Sequence, residues 1–138
     1  MIRGVVNMNV NCGCDKVSAV KGRHEEGMDG MASAGGAGKP GIVSECGAAA
    51  MYGYRDRGRC KWSEERQADI IRENLEVYRK DSRLSGAFIW QFADCRVTEE
   101  GGWFATRARS HNNKGVLDEY RRPKLAYDTV KEFFENWD

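Results

Sequence analysis

Two short apolar runs and the helical periodicities that follow them predict an α/β fold built on a parallel sheet. The first run is Gly41-Ile42-Val43-Ser44-Glu45, and the second is Gly86-Ala87-Phe88-Ile89-Trp90-Gln91-Phe92-Ala93. A third, Gly4 to Val10, has the β-branched content of a strand, so three βα units follow one another. Successive units of this kind imply right-handed crossovers and either a small open sheet or part of a (β/α)8 barrel. A complete barrel needs about 250 residues, so a chain of 138 supplies about three of its eight units.

Each element follows from local sequence. Between Asp15 and Gly38 the glycines leave at best a poor helix, and the stretch from Gly27 to Gly38 is rich in Gly, Ala and Met. Every Phe, Trp and Tyr lies from Tyr52 onward. Residues 1–38 therefore have little area to bury and are expected to be a degenerate strand followed by a weakly ordered segment, with the main body over 39–138. Ser63 is a credible N-cap, followed by Glu64 and Glu65 where the helix dipole favours negative charge. Ala68, Ile71, Leu75 and Tyr78 then recur at helical spacing, predicting a helix to about Lys80. The apolar run ending at Ala93 reads as a buried strand, and Cys95 to Arg122 as a long polar loop. Pro123 opens a last helix whose Ala126, Val130, Phe133, Phe134 and Trp137 share one face.

Composition excludes several classes of function. A formal net charge of +1 argues against binding nucleic acid or a membrane surface through bulk electrostatics. No apolar run approaches the roughly 18 residues of a membrane helix, and the amino terminus lacks the apolar core of a signal peptide, so a cytoplasmic location is the default expectation. Five cysteines, Cys12, Cys14, Cys46, Cys60 and Cys95, are an odd number and read as reduced thiols. Only His24 and His111 could join the Cys12 and Cys14 pair, so no metal is expected.

The candidate chemistry begins with Glu45, an acid delivered to the tip of a buried strand, where parallel α/β folds build their sites. Four motifs surround it in order: Val43-Ser44-Glu45-Cys46-Gly47-Ala48, Phe88-Ile89-Trp90-Gln91-Phe92-Ala93-Asp94, Asn112-Asn113-Lys114-Gly115-Val116 and Arg122-Pro123-Lys124. Together they resemble the end of the catalytic barrel of family 2 glycoside hydrolases, especially β-glucuronidases, over roughly residues 39 to 135. Val5-Val6-Asn7-Met8-Asn9 with Gly13 more faintly resembles that family's sixth strand and the turn after it.

The resemblance implies a partial (β/α)8 barrel comprising about the last three βα units, a β-glucuronide or related uronide as substrate, and no cofactor. It makes Glu45 the nucleophile of a retaining double displacement. A strand-end carboxylate in a surface ion pair is the alternative role for that residue. Trp90 matches a sugar-facing aromatic, whose indole face suits the apolar face of a pyranose; the alternative is core packing. Asn112 and Lys114 match an Asn-x-Lys element that marks recognition of a uronic acid carboxylate, since both donate hydrogen bonds to an anion. Taken as a bare pattern, Asn-x-Lys is usually a solvated loop. Arg107 and Arg109 are candidate helpers for the same carboxylate, but neither falls on the family position.

The departures matter equally. A retaining glycosidase needs a second carboxylic acid about 5 Å from the nucleophile. The family takes it from an Asn-Glu pair, and no Asn-Glu dipeptide occurs in this sequence. Asn11 and Asp15 stand where the family has tyrosines, and Cys46 stands where an aromatic usually follows the nucleophile. The chain is therefore expected to be a piece of a larger glycosidase, from a truncated, split or frame-shifted gene, and inactive alone. The rival expectation is a non-catalytic carbohydrate-binding module, or one completing a barrel with an amino-terminal chain. Unpaired strand edges also predict self-association into a homo-oligomer.

Overall fold

The structure is a computed structural model that describes residues 6–9, 20–98, 100, 102 and 107–137. Along the chain lie β1 (Val6–Asn9), α1 (Val20–Met31), β2 (Gly41–Cys46), α2 (Glu64–Arg79) and β3 (Leu84–Ile89). The short strands β4 (Cys95–Arg96) and β5 (His111–Asn112) follow, then α3 (Leu125–Glu135). β1, β2 and β3 form one parallel sheet in that order, giving the α/β architecture expected. β4 and β5 make a separate antiparallel pair.

Helices pack on the sheet through the residues that the periodicity selects. Ala68, Ile71, Leu75 and Tyr78 of α2 are all buried, against Val43 of β2 and Leu84 and Ala87 of β3. Ser63 caps α2, its Oγ accepting from the Arg66 N–H at 3.3 Å. The Glu64 carboxylate does more than meet the helix dipole. It accepts from Gly53 N–H at 2.6 Å and from Leu125 N–H at 2.7 Å, so it also satisfies the first turn of α3.

α1 forms between Val20 and Met31 despite three glycines. It buries His24 and Met28, one turn apart, and His24 Nε2 lies 2.8 Å from Asp81 Oδ2. Gly35, at φ +85°, lies in the wide turn that leads out of the helix toward β2.

Three boundaries differ from the sequence expectation. β3 ends at Ile89, not Ala93, because beyond Trp90 the backbone exchanges β2 for a new partner. Gln91 N–H donates to Lys114 O, Val116 N–H to Gln91 O, Leu117 N–H to Phe92 O and Asp94 N–H to Leu117 O, all at 3.0 to 3.1 Å. The segment expected as a polar loop accordingly holds the β4–β5 pair and buries Val116, Leu117 and Asp118. α3 starts at Leu125, because Lys124 is extended at φ −86°, ψ 169° and serves as its N-cap.

The outer edge of β3 carries no strand among the described residues. Beside it runs a groove of about 340 Å³ lined partly by Ile42, Phe88, Phe134 and Trp137. Cys46 is a buried thiol donating to Phe88 O at 3.5 Å, while Cys60 and Cys95 are exposed. Cys12 and Cys14, Gly13, and Asn11 and Asp15 lie outside the described residues. Among the described residues, no helix is long and apolar enough to cross a membrane.

Candidate functional site at the strand tips

The carboxyl ends of β2 and β3 meet through backbone contact. Trp90 N–H donates to Cys46 O at 2.7 Å. A Cβ on Gly47 would lie 2.3 Å from Trp90 O, so only glycine allows the two strand tips to approach this closely. Glu45, the penultimate residue of β2, is partly buried. Trp90, just past β3, is 45% exposed, which removes it from the core-packing role; its peptide bond to Gln91 is cis.

The Asn-x-Lys loop is fastened to both tips. Ala50 N–H, in the loop after β2, donates to Asn113 O at 2.9 Å, and Gln91 N–H to Lys114 O at 3.0 Å. Gly115 is held as tightly, since a Cβ there would lie 2.3 Å from both Asp94 N and Leu117 O. Asn112 and Asn113 are 8% and 2% exposed, so this is no solvated loop. Asn113 Nδ2 donates to Ala108 O at 2.8 Å and His111 O at 3.1 Å, and Gln67 Nε2 from α2 donates to Ala48 O and Gly115 O, each at 2.9 Å. The fold thus brings Glu45, Trp90, Asn112 and Lys114 to one end of the sheet through adjoining backbone.

Beneath them lies a buried ion pair. Lys124 Nζ donates to Asp94 Oδ1 at 2.8 Å, Ala50 O at 2.6 Å and Asn113 O at 3.1 Å. Asp94 Oδ1 accepts in addition from Gly115 N–H at 2.8 Å. One ammonium therefore joins the loop after β2, the end of the β3 segment and the Asn-x-Lys loop. Burial pushes the Asp94 carboxyl above its ordinary range and Lys124 below its own, each against the pull of the partner's charge. Full satisfaction by four hydrogen bonds is what lets both charges persist in a dry setting.

The two arginines separate. Arg107 Nη1 donates to Asn112 Oδ1 at 2.8 Å, whereas Arg109 pairs with Glu119 at 3.6 Å. Sequence reasoning noted Asp94 and Lys124 only as members of motifs, and it missed Gln67. Pairings across 30 to 74 residues leave no local periodicity to read.

A cavity of about 540 Å³, lined by Met28, Met31, Lys39, Pro40, Ser82 and Arg83 among others, opens among residues that precede β2 and β3. It lies at the opposite end of the sheet from Glu45. Among the described residues, no group of three or more His, Cys, Asp or Glu is placed to hold a metal.

No family model matches the chain. A β-glucuronidase of Paenibacillus borealis is 34% identical over 89 residues, which are 64% of this chain and 14% of that protein. Among solved structures, a GH2 β-galacturonidase from Eisenbergiella tayi bound to galacturonate superposes with a TM-score of 0.87 at 40% identity, over 97% of this chain and 24% of that one. A Ruminococcus gnavus β-glucuronidase superposes with a TM-score of 0.81 at 26% identity, over 97% and 22%. The chain spans about a quarter or less of the length of each.

Proposed function

Starting from the premise that this chain corresponds to one part of a family 2 glycoside hydrolase, we propose that it is the nucleophile-bearing part of the catalytic (β/α)8 barrel. Its three consecutive parallel βα units, and an outer edge of β3 that carries no strand among the described residues, support a partial barrel. In this reading residues 39–138 carry the site and 1–38 a degenerate lead-in. Glu45 is the nucleophile that attacks the anomeric carbon, Trp90 packs on the sugar ring, and Asn112 with Lys114 holds the carboxylate of a uronic acid. The observation that carries the proposal is the fastening of the Asn-x-Lys loop to the tips of both β2 and β3. That arrangement supports reading the Asn-x-Lys loop as the anion-binding partner of an acid at the end of a parallel sheet.

Protonation of the leaving group requires a second carboxylic acid, and the Asn-Glu pair that supplies it in the family is absent from this sequence. The isolated chain is therefore expected to bind uronides without turning them over. Incubation with an aryl β-glucuronide or β-galacturonide should release no aglycone. Release that disappears in Glu45→Gln would sink the expectation of inactivity while supporting Glu45 as nucleophile. The same absence favours a second reading, a non-catalytic carbohydrate-binding or barrel-completing module. Uronide binding that survives Glu45→Ala and is lost in Lys114→Ala, with no activity regained on adding an amino-terminal barrel chain, would select the binding module.

A further inference from the structure

We propose that Arg107 is a positioning residue that makes the Asn112 side chain a pure hydrogen-bond donor, and thereby sets a preference for a carboxylate over a hydroxymethyl group. The inference rests on the reading that Asn112 and Lys114 receive the sugar carboxylate.

A guanidinium has N–H donors and no acceptor, so the amide atom that meets Arg107 Nη1 at 2.8 Å must be the oxygen of Asn112. This settles the orientation of the amide on chemistry alone, where its shape would leave the oxygen and nitrogen interchangeable. The Nδ2 group is turned away from Arg107. Among the described residues no hydrogen bond from it is recorded, and it is not one of the buried unpaired atoms, so the residue, 8% exposed overall, keeps this end open to a ligand. The amide therefore presents its N–H donors in sequence beside a lysine whose side chain is likewise a donor only.

Such a subsite suits a group that accepts and never donates. A carboxylate meets every N–H with a lone pair and gains charge-assisted hydrogen bonds. The hydroxymethyl group of a neutral sugar has one oxygen in place of two, carries no charge, and finds no acceptor for its own proton. Without Arg107 the amide is free to turn, present Oδ1, and accept from a hydroxyl. Arg107 does not touch the sugar in this account, and its effect passes through Asn112.

The test is a titration of the chain with methyl β-D-galacturonide and methyl β-D-galactoside, followed by ligand-observed NMR. The ratio of the two dissociation constants is the readout, because a general loss of stability lowers both affinities together. Wild type should favour the galacturonide, and Arg107→Ala should cut the ratio about tenfold, as expected for a misdirected hydrogen bond to a charged group. Arg107→Lys, which keeps a donor-only cation, should restore most of it. A ratio unchanged in Arg107→Ala but abolished in Lys114→Ala overturns this inference and leaves the functional reading intact. Wild-type protein with no preference overturns both.

Discussion

The two ends of the sheet are held together by different chemistry. At the carboxyl end, loops from three parts of the chain are joined by buried polar groups, with Lys124, Asp94, Gln67 and Asn113 all at most 6% exposed and hydrogen-bonded across segments. At the amino end, among the described residues, α1 is anchored by the apolar side chains Met28 and Met31, by the His24 ring against Tyr78 and by the partly buried contact of His24 with Asp81. The first kind of linkage is directional and costly to break, because removing one member strands a buried charge. The second is graded, since Asp81 is also held by Arg83 and keeps a partner if the histidine is lost. Among the described residues, buried polar linkage is thus concentrated at the end that carries the candidate site.

The comparison is tested most severely at Lys124. Lys124→Met should destabilise the chain by about 3–5 kcal/mol, because Asp94 is left charged and without its cation. Adding Asp94→Leu should recover a large part of that loss, and urea unfolding of the single and double variants measures both. Equal stability of Lys124→Met and wild type would mean that the buried pair does not hold the site end together.

A smaller and local effect is expected at the other end. His24→Ala should cost about 1–2 kcal/mol, confined to the docking of α1. Hydrogen exchange should then accelerate over Val20–Met31 while β2 and β3 keep their protection. Loss of protection in β2 as well would show that the two ends unfold as one unit and would break the contrast.

The smallest effect is a dependence on acid. Asp56 N–H and the Arg55 side chain hold the Glu65 carboxyl down to about 2, from an ordinary 4.5, and the Arg83 side chain, with help from His24, holds Asp81 well below the usual carboxylate range. For groups whose folded-state value is depressed, the stabilisation is present above the unfolded value and is lost as pH falls toward the folded one. Thermal stability should therefore decline on acidification below about pH 4.5, and Glu65→Gln should flatten the decline. Asp81 precedes β3, at the far end of the sheet, and Glu65 binds Arg55 and Asp56, well beyond Ala50 in the loop after β2, so the environment of Trp90, followed by its fluorescence, should change only with global unfolding. An earlier change in Trp90 would tie the site to these surface pairs.

Much of this was legible in the sequence because it depends on local pattern. The α2 periodicity named Ala68, Ile71, Leu75 and Tyr78, all of them buried, and Ser63 caps the helix as its residue type suggests. The four motifs also lie in the order that the fold gathers at the tips of β2 and β3. What the sequence did not disclose depends on distant partners. The end of β3 is set by residues 114–117, the start of α3 by the conformation of Lys124, and the orientation of Asn112 by Arg107. α1 was expected to be poor from its glycines, yet a helix of 12 residues forms there because His24 and Met28 fall one turn apart and find buried contacts.

Lys124 also carries a consequence for the order of events during synthesis. Its ammonium bonds to Ala50, Asp94 and Asn113, which stand 74, 30 and 11 residues earlier in the chain. A polypeptide emerging from its amino terminus makes β2 and β3 well before this one side chain arrives. The loops at the candidate site therefore remain without their central tie until the last helix begins to leave the ribosome. A nascent chain that stalls short of residue 124 would display the strand that carries Glu45 while the loops around it are still loose.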